Sequence, residues 1–291
     1  MNPSDPGVAT NEPVVERWTA FSSDPGGGNP AGVWVGPRLP SPTDMQRIAG
    51  EIGYSETAFL EPTADSGRWV VRYFSPAREI DFCGHATIAS AIALERRHGG
   101  TDSSFATAVG DISVTVRRVD DTLTATLTST DPDDRDAPPA LLADALAAMF
   151  LTRAHLDPRL PPAVAYAGAW HLVLPLASRD DLARLHYDFD RLARLMSDED
   201  LTTVQVIWRE HARRFHARNP FPVGGVVEDP ATGAAAAALG GYLRSRHHLD
   251  PPTEFTIIQG VDMGRPSVIT VLVPATGGIG VTGAATELPP A

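Results

Sequence analysis

The 291-residue chain contains no lysine, since all 24 of its basic side chains are arginines. A Schiff base to a carbonyl substrate or to pyridoxal phosphate needs an amine whose pKa can fall, and an arginine stays protonated. That chemistry is excluded. A phosphate-cradling GxxxxGK[ST] loop is excluded for the same reason, so the glycines of "GGGNPAG" (26–32) are not one. With Cys83 as the single cysteine, neither an intramolecular disulfide nor a zinc site built on several thiols can form. The formal charge is −12, and no basic block interleaved with aromatics is present to neutralise phosphates. Nucleic acid is not an expected partner. No run of 18 apolar residues occurs, and the opening "MNPSDPGVATNEP" lacks the basic start and apolar centre of a signal peptide. The expectation is a soluble cytoplasmic protein with a frayed start and no membrane partner.

What the chain does have is 43% apolar residues, enough for the core of one large domain or two ordinary ones. Residues 14–21 and 31–36 read as a strand hairpin around a Gly/Pro-rich turn, and "SPTDMQRIAGEIG" (41–53) as a short amphipathic helix closed by glycine. Strands follow at 55–62 and 68–76, then a helix over 85–99 ending in basic residues and glycines. Residues 111–119 and 121–130 alternate in period two around an Asp-Asp turn, as a hairpin does. The acidic, proline-rich "DPDDRDAPP" (131–139) has no apolar periodicity and reads as a linker.

After that break come a helix at 140–150, strands around Gly168, a helical stretch over 179–200 and strands at 202–210 and 212–218. A helix over 231–246, strands at 253–260 and 266–273, and a last short strand within 277–288 complete the chain. The order repeats that of the first half. "CGHATIASAIAL" and "EDPATGAAAAAL" echo each other, with Thr87 and Thr232 145 positions apart, close to half the length. Internal duplication follows, and it would set two equivalent helix starts face to face. Unpaired N–H groups and the helix dipole make such starts anion sites, so a small carboxylate could be held between them without lysine. Asp229-Pro230 has the composition of a cap and first turn, and Gly84 would let a ligand approach the backbone.

The motifs "GNPAGV", "YSETAFL", "RYFSP", "FCGHATIA" and "EDPATGAA", in that order and spacing, resemble the phenazine-biosynthesis PhzF family of isomerases, related in fold to diaminopimelate epimerase. The resemblance runs from about Val14 to the end. It implies an α+β protein of two pseudo-symmetric domains, each a mostly antiparallel sheet rolled around a central helix, with the active site in the cleft between them. It also implies a homodimer, no cofactor and a role in secondary metabolism. The expected division is 1–130, joined by the C-terminal strand 277–289, against 131–276.

On that resemblance Glu56 is the acid/base carboxylate, with His85 and Asp229 in supporting positions. Flanked by Tyr54, Ala58, Phe59 and Leu60, the Glu56 carboxyl would be partly desolvated, which raises a carboxyl pKa and suits a group that takes and returns a proton. Asn29, Ser55, Gly84, Gly233 and Ala234 are the expected substrate contacts. The family writes a serine where this chain has Ala234, so only backbone donation survives there. Cys83 stands where related epimerases carry the first of two thiols, and reads as a small buried residue outside the reaction. The other histidines, among them His211, His216, His247 and His248, form no spaced metal set. The expected activity is an isomerase moving a proton within a small cyclic or conjugated amino- or carboxy-bearing metabolite. The alternatives are an amino-acid racemase or epimerase on the same fold, and a non-catalytic metabolite-binding protein.

Overall fold

A computed structural model describes residues 14–289 of the chain; the opening stretch 1–13, read above as a frayed start, lies outside the described residues. The first half comprises β1 (Glu16–Ala20), β2 (Asn29–Val35), α1 (Pro42–Ile52), β3 (Glu56–Pro62), β4 (Arg68–Phe74), β5 (Glu79–Ile80), α2 (Gly84–His98), β6 (Asp102–Thr107), β7 (Gly110–Val119) and β8 (Thr122–Thr128). The second comprises β9 (Asp133–Asp136), α3 (Pro139–Ala148), β10 (Ala163–Tyr166), β11 (Trp170–Leu176), α4 (Arg179–Ala183), α5 (Phe189–Asp198), β12 (Thr203–His211), β13 (Arg214–Phe221), β14 (Val226–Asp229), α6 (Gly233–Ser245), β15 (Thr253–Gln259) and β16 (Ser267–Val273), before β17 (Gly280–Glu287). The architecture is α+β, with one mostly antiparallel sheet rolled about two central helices.

The pairing pattern of one half is repeated in the other. β1–β2 antiparallel, β2–β3 parallel, β3–β4 antiparallel and β4–β6 parallel recur as β10–β11, β11–β12, β12–β13 and β13–β15 with the same senses. The short β5 beside β4 has its counterpart in β14 beside β13. β17 belongs to both: it pairs with β16, with β8 and with β1. Through it the first half closes into a ring of strands around α2, whereas the second half ends openly at β9.

Each central helix is buried on nearly all sides, from His85 to Leu94 in α2 and from Ala235 to Leu243 in α6. Only small side chains allow a sheet to wrap so closely: a Cβ on Gly240 would stand 2.8 Å from Ile279 and 2.9 Å from Val271. The alanine run is therefore a packing requirement as well as a helix former. A further apolar cluster, with Leu141, Leu172, Leu192 and Met196, fills the space between α3, α5 and the outer face of β10–β12.

Several local expectations change in three dimensions. The acidic segment read as a linker carries β9, antiparallel to β10. Its charges are met from afar, because Arg246 at the end of α6 pairs with Asp134 at 2.7 Å and with Asp136. The helical stretch 179–200 is two helices, with Arg184 to Tyr187 leaving the helix between them. There the Arg218 guanidinium donates to the carbonyls of Leu182, Ala183 and Leu185 at the end of α4.

Candidate active site

Asn29 opens β2 and Glu56 opens β3, and because these strands are parallel with Ala31 opposite Glu56, both side chains emerge at one end of the first half. The αL glycine that ends α1, Gly53, turns the chain into Tyr54-Ser55-Glu56. At the same end the two central helices begin against each other. A Cβ placed on Gly84 would lie 3.8 Å from the Cα of Gly233, so both starts are closely apposed backbone. His85, in the first turn of α2, is directed at Glu56.

The side chains form one connected set. Glu56 Oε2 lies 3.2 Å from His85 Nε2, with side-chain exposures of 13% and 7%. Ser55 Oγ is 3.4 Å from the same nitrogen. The Asn29 amide donates to Asp229 Oδ1 at 2.6 Å and to the Ala231 carbonyl at 3.1 Å, and approaches His85 Nδ1 at 3.2 Å. Both hydrogens of the Asn29 amide are taken by Asp229 and Ala231, and because a carboxylate can only accept, a neutral imidazole hydrogen-bonded to Glu56 at 3.2 Å carries its proton on Nε2. Burial lowers the His85 pKa, the nearby Glu56 charge opposing it, which favours that neutral imidazole.

Asp229 is not the helix cap that its sequence context suggests. It ends β14, and α6 starts four residues on with Thr232 as its N-cap. Its two oxygens are held separately, one by Asn29 and the other by the Thr232 hydroxyl at 2.5 Å. Gln259, from β15, braces this turn by donating to the Asp229 carbonyl at 2.7 Å and to Thr232 Oγ at 3.1 Å. Burial pushes the Asp229 carboxyl up to about 7; the Glu56 charge adds to this, while the Thr232 and Asn29 bonds oppose it. Directly behind, the buried Arg218–Glu228 pair at 2.6 Å fixes β14.

Ser55, Gly84 and Gly233 thus lie with Glu56, His85, Asn29 and Asp229, and Ala234 sits half-exposed in the first turn of α6. Cys83 is also here, as the N-cap of α2, with Sγ 3.3 Å from His85 Nδ1 and 3.8 Å from Nε2. A sulfur nearly equidistant from both nitrogens lies against the ring, off either lone-pair axis. Burial, reinforced by the charges of Glu56 and Asp229, holds the thiol well above its ordinary pKa. It is a neutral packing group.

Glu56, Cys83 and His85 are the one set among the described residues whose ligand atoms converge, within 4.8 Å of one another. A metal-binding histidine uses an in-plane lone pair. The off-axis sulfur does not fit a shared ion, and the cluster reads as a proton network. Among the described residues no helix is long and apolar enough to cross a membrane.

Sequence reasoning noted Thr232 only as part of the repeat and missed Gln259 and Arg265. The last donates to the carbonyls of Gly27 and Gly28 at 2.6 and 2.8 Å and so fixes the loop ahead of Asn29. "GRPS" carries no local signal for this, because the partners lie more than 230 residues away.

Comparison with known proteins agrees with this architecture. The family model described as phenazine biosynthesis-like protein matches residues 18–288. An uncharacterized isomerase of Bacillus subtilis, YfhB, is 30% identical over 94% of this chain and 96% of its own. The trans-2,3-dihydro-3-hydroxyanthranilate isomerase of Pseudomonas fluorescens is 30% identical over 86% of each chain. The crystal structure of a Bacillus anthracis phenazine biosynthesis protein superposes with a TM-score of 0.84 at 24% identity, covering 94% of this chain and 96% of that one.

Proposed function

The chain belongs to the phenazine biosynthesis-like PhzF family of isomerases, and from that premise we propose that it moves a proton between two carbons of a small cyclic or conjugated amino- or carboxy-bearing metabolite, without a cofactor. The observation that carries this reading is the Glu56 carboxylate, largely shielded from water and 3.2 Å from the neutral His85 imidazole, at the point where two helix starts meet.

Glu56 takes a C–H proton from the bound substrate and returns it at another carbon. The electron pair left behind delocalises into the conjugated system, so no metal or amine is needed as an electron sink. The Nε2–H of His85 holds the carboxylate in place. Asp229, close to half-ionised near neutrality, can meet an amine or donate a hydrogen bond as its proton requires. The N–H groups of Gly84, Gly233 and Ala234 bind the substrate carboxylate, a role a side-chain hydroxyl at Ala234 would otherwise share. Closure of the halves, 1–130 with the 277–289 strand against 131–276, excludes water from the reacting carbon. The active species is a cytoplasmic homodimer.

The racemase alternative needs Cys83 as a base, and its raised pKa and off-axis position argue against that. The test is solvent-deuterium incorporation with trans-2,3-dihydro-3-hydroxyanthranilate, the molecule in the name of the Pseudomonas relatives, and with related unsaturated amino acids. Carbon-bound deuterium that appears with the wild type and vanishes in Glu56→Gln supports the reading. Binding without exchange supports the non-catalytic alternative.

A further inference from the structure

Arg265 lies in the turn between β15 and β16, in the second half, and its side chain crosses to the first. Nε donates to the Gly28 carbonyl at 2.8 Å, and one terminal nitrogen donates to the Gly27 carbonyl at 2.6 Å and to Thr19 Oγ at 3.3 Å. The Thr19 hydroxyl in turn donates to the Gly27 carbonyl at 2.6 Å. Beside the guanidinium, the Gly28 N–H donates to the Pro266 carbonyl at 3.0 Å and the Val268 N–H to the Phe21 carbonyl at 2.8 Å. Both backbone groups of Gly28 are thus held by residues 265 and 266, and its carbonyl belongs to the peptide that leads into Asn29.

Among the described residues the guanidinium meets no carboxylate; its acceptors are two successive carbonyls and a hydroxyl. A planar fork spread over two carbonyls in a row fixes the direction of the chain that carries them. The loop it grips is tight, since Gly28 has a φ of 70° and a Cβ there would stand 2.5 Å from Thr19 Oγ. Ser23 to Gly26 are exposed, whereas Gly27, Gly28 and Asn29 are buried, so the grip falls where the loop turns inward toward the site. The backbone of Arg265 is anchored on the opposite side. Its N–H donates to the Gly260 carbonyl at 3.0 Å. Gly260 follows Gln259, which braces Asp229, and a Cβ on Gly260 would stand 2.8 Å from the Pro230 carbonyl, so the two turns pack backbone to backbone. One residue therefore spans from the turn that presents Asp229 to the loop that presents Asn29.

We infer that Arg265 is a positioning residue for the candidate site, which fixes Asn29 in register with Asp229 across the junction of the two halves and so sustains the hydrogen bond between them. Asn29 and Asp229 meet at 2.6 Å, a contact that a small shift of either strand end would open. The charges that act on Asp229 are those of Glu56 and Glu228, and Arg265 contacts neither. Its influence on the carboxyl therefore runs through the Asn29 bond. The inference rests on the isomerase reading for the use that Asp229 makes of its proton, and the arrangement itself is tested without substrate.

The test is a double-mutant cycle read by carbon NMR titration of labelled aspartate carboxyls in the full chain. Arg265→Met keeps much of the side chain's length and removes the fork. It is expected to lower the acid dissociation constant of Asp229 about three- to tenfold, part of the worth of one hydrogen bond to a charged group. Asn29→Leu is expected to lower it at least as far. Arg265→Met/Asn29→Leu is expected to match Asn29→Leu within about twofold, because the bond through which Arg265 acts is already gone. An unchanged constant in Arg265→Met overturns the inference. Equal shifts from Arg265→Met in both backgrounds overturn it in favour of a through-space effect of the charge. Arg265→Lys keeps the charge and lacks the planar fork, so it is expected to move the constant in the same direction, and a wild-type value there overturns the inference. The lysine variant carries the cycle should Arg265→Met fail to fold. Absence of deuterium exchange in the wild type would count against the isomerase reading and leaves this coupling unaffected.

Discussion

Asn29 Nδ2 and Asp229 Oδ1 meet at 2.6 Å although 200 residues separate them. This bond ties the beginning of β2 to the end of β14, and it favours the ionised form of Asp229 against the burial that opposes it. Removing the donor in Asn29→Leu takes away a bond that lowers the carboxyl pKa. The Asp229 pKa is expected to climb from about 7, followed by carbon NMR of labelled aspartate carboxyls. A fall, or no movement, would refute the electrostatic account of this contact.

Glu56→Gln keeps the shape and the contact to His85 but cannot take a proton. The rate of solvent-deuterium incorporation should fall by about 10²- to 10⁴-fold, the usual worth of a positioned acid/base. Cys83→Ala should stay within about threefold of wild type, given a neutral off-axis thiol. Reversal of this pair of results would move the acid/base role to the thiol.

Stability should depend on pH through Asp229. Its folded pKa is raised above the unfolded value of 3.8, so the folded state holds the proton more tightly. The contribution is complete below pH about 4 and is lost as pH rises through about 7. Denaturant midpoints measured from pH 4 to 8 should decline over that window, and Asp229→Asn should flatten the decline.

The Arg218–Glu228 pair, with side chains 14% and 4% exposed, is a buried ion pair that also ends α4. Arg218→Met strands the Glu228 charge and should cost about 3–5 kcal/mol in urea unfolding. Arg218→Met/Glu228→Leu removes both charges and should recover a large part of that loss. A double variant as unstable as the single one would place the energy in the α4 carbonyl bonds instead.

The helices at 41–53, 85–99 and 231–246 and most strands were legible because caps, glycine stops and period-two alternation are local signals. β9 was not, since "DDRD" has no strand character until Arg246, more than a hundred residues on, neutralises two of its aspartates. The break after α4 was equally invisible, because Arg218 satisfies those carbonyls from another strand. In the site, Glu56, His85, Asn29, Ser55 and Asp229 were named from short motifs, and the structure brings them together. Gln259 and Arg265 went unnamed, and Thr232 was noted only as part of the repeat, because each acts on a partner distant in sequence or on a turn whose shape is set elsewhere.

The sequence alone determined which chemistries were closed: without lysine and with a single thiol, amine and paired-thiol chemistry are excluded, and a doubled motif pointed to two similar helix starts. Tertiary structure decided the surroundings of each carboxylate. Glu56 and Asp229 are both acidic residues beside small ones in the chain, yet only folding sets one against a neutral imidazole and suspends the other between Asn29 and Thr232. The reason is that composition fixes which protons exist, whereas the free energy of each depends on burial and on partners that the chain meets only when its halves close on one another.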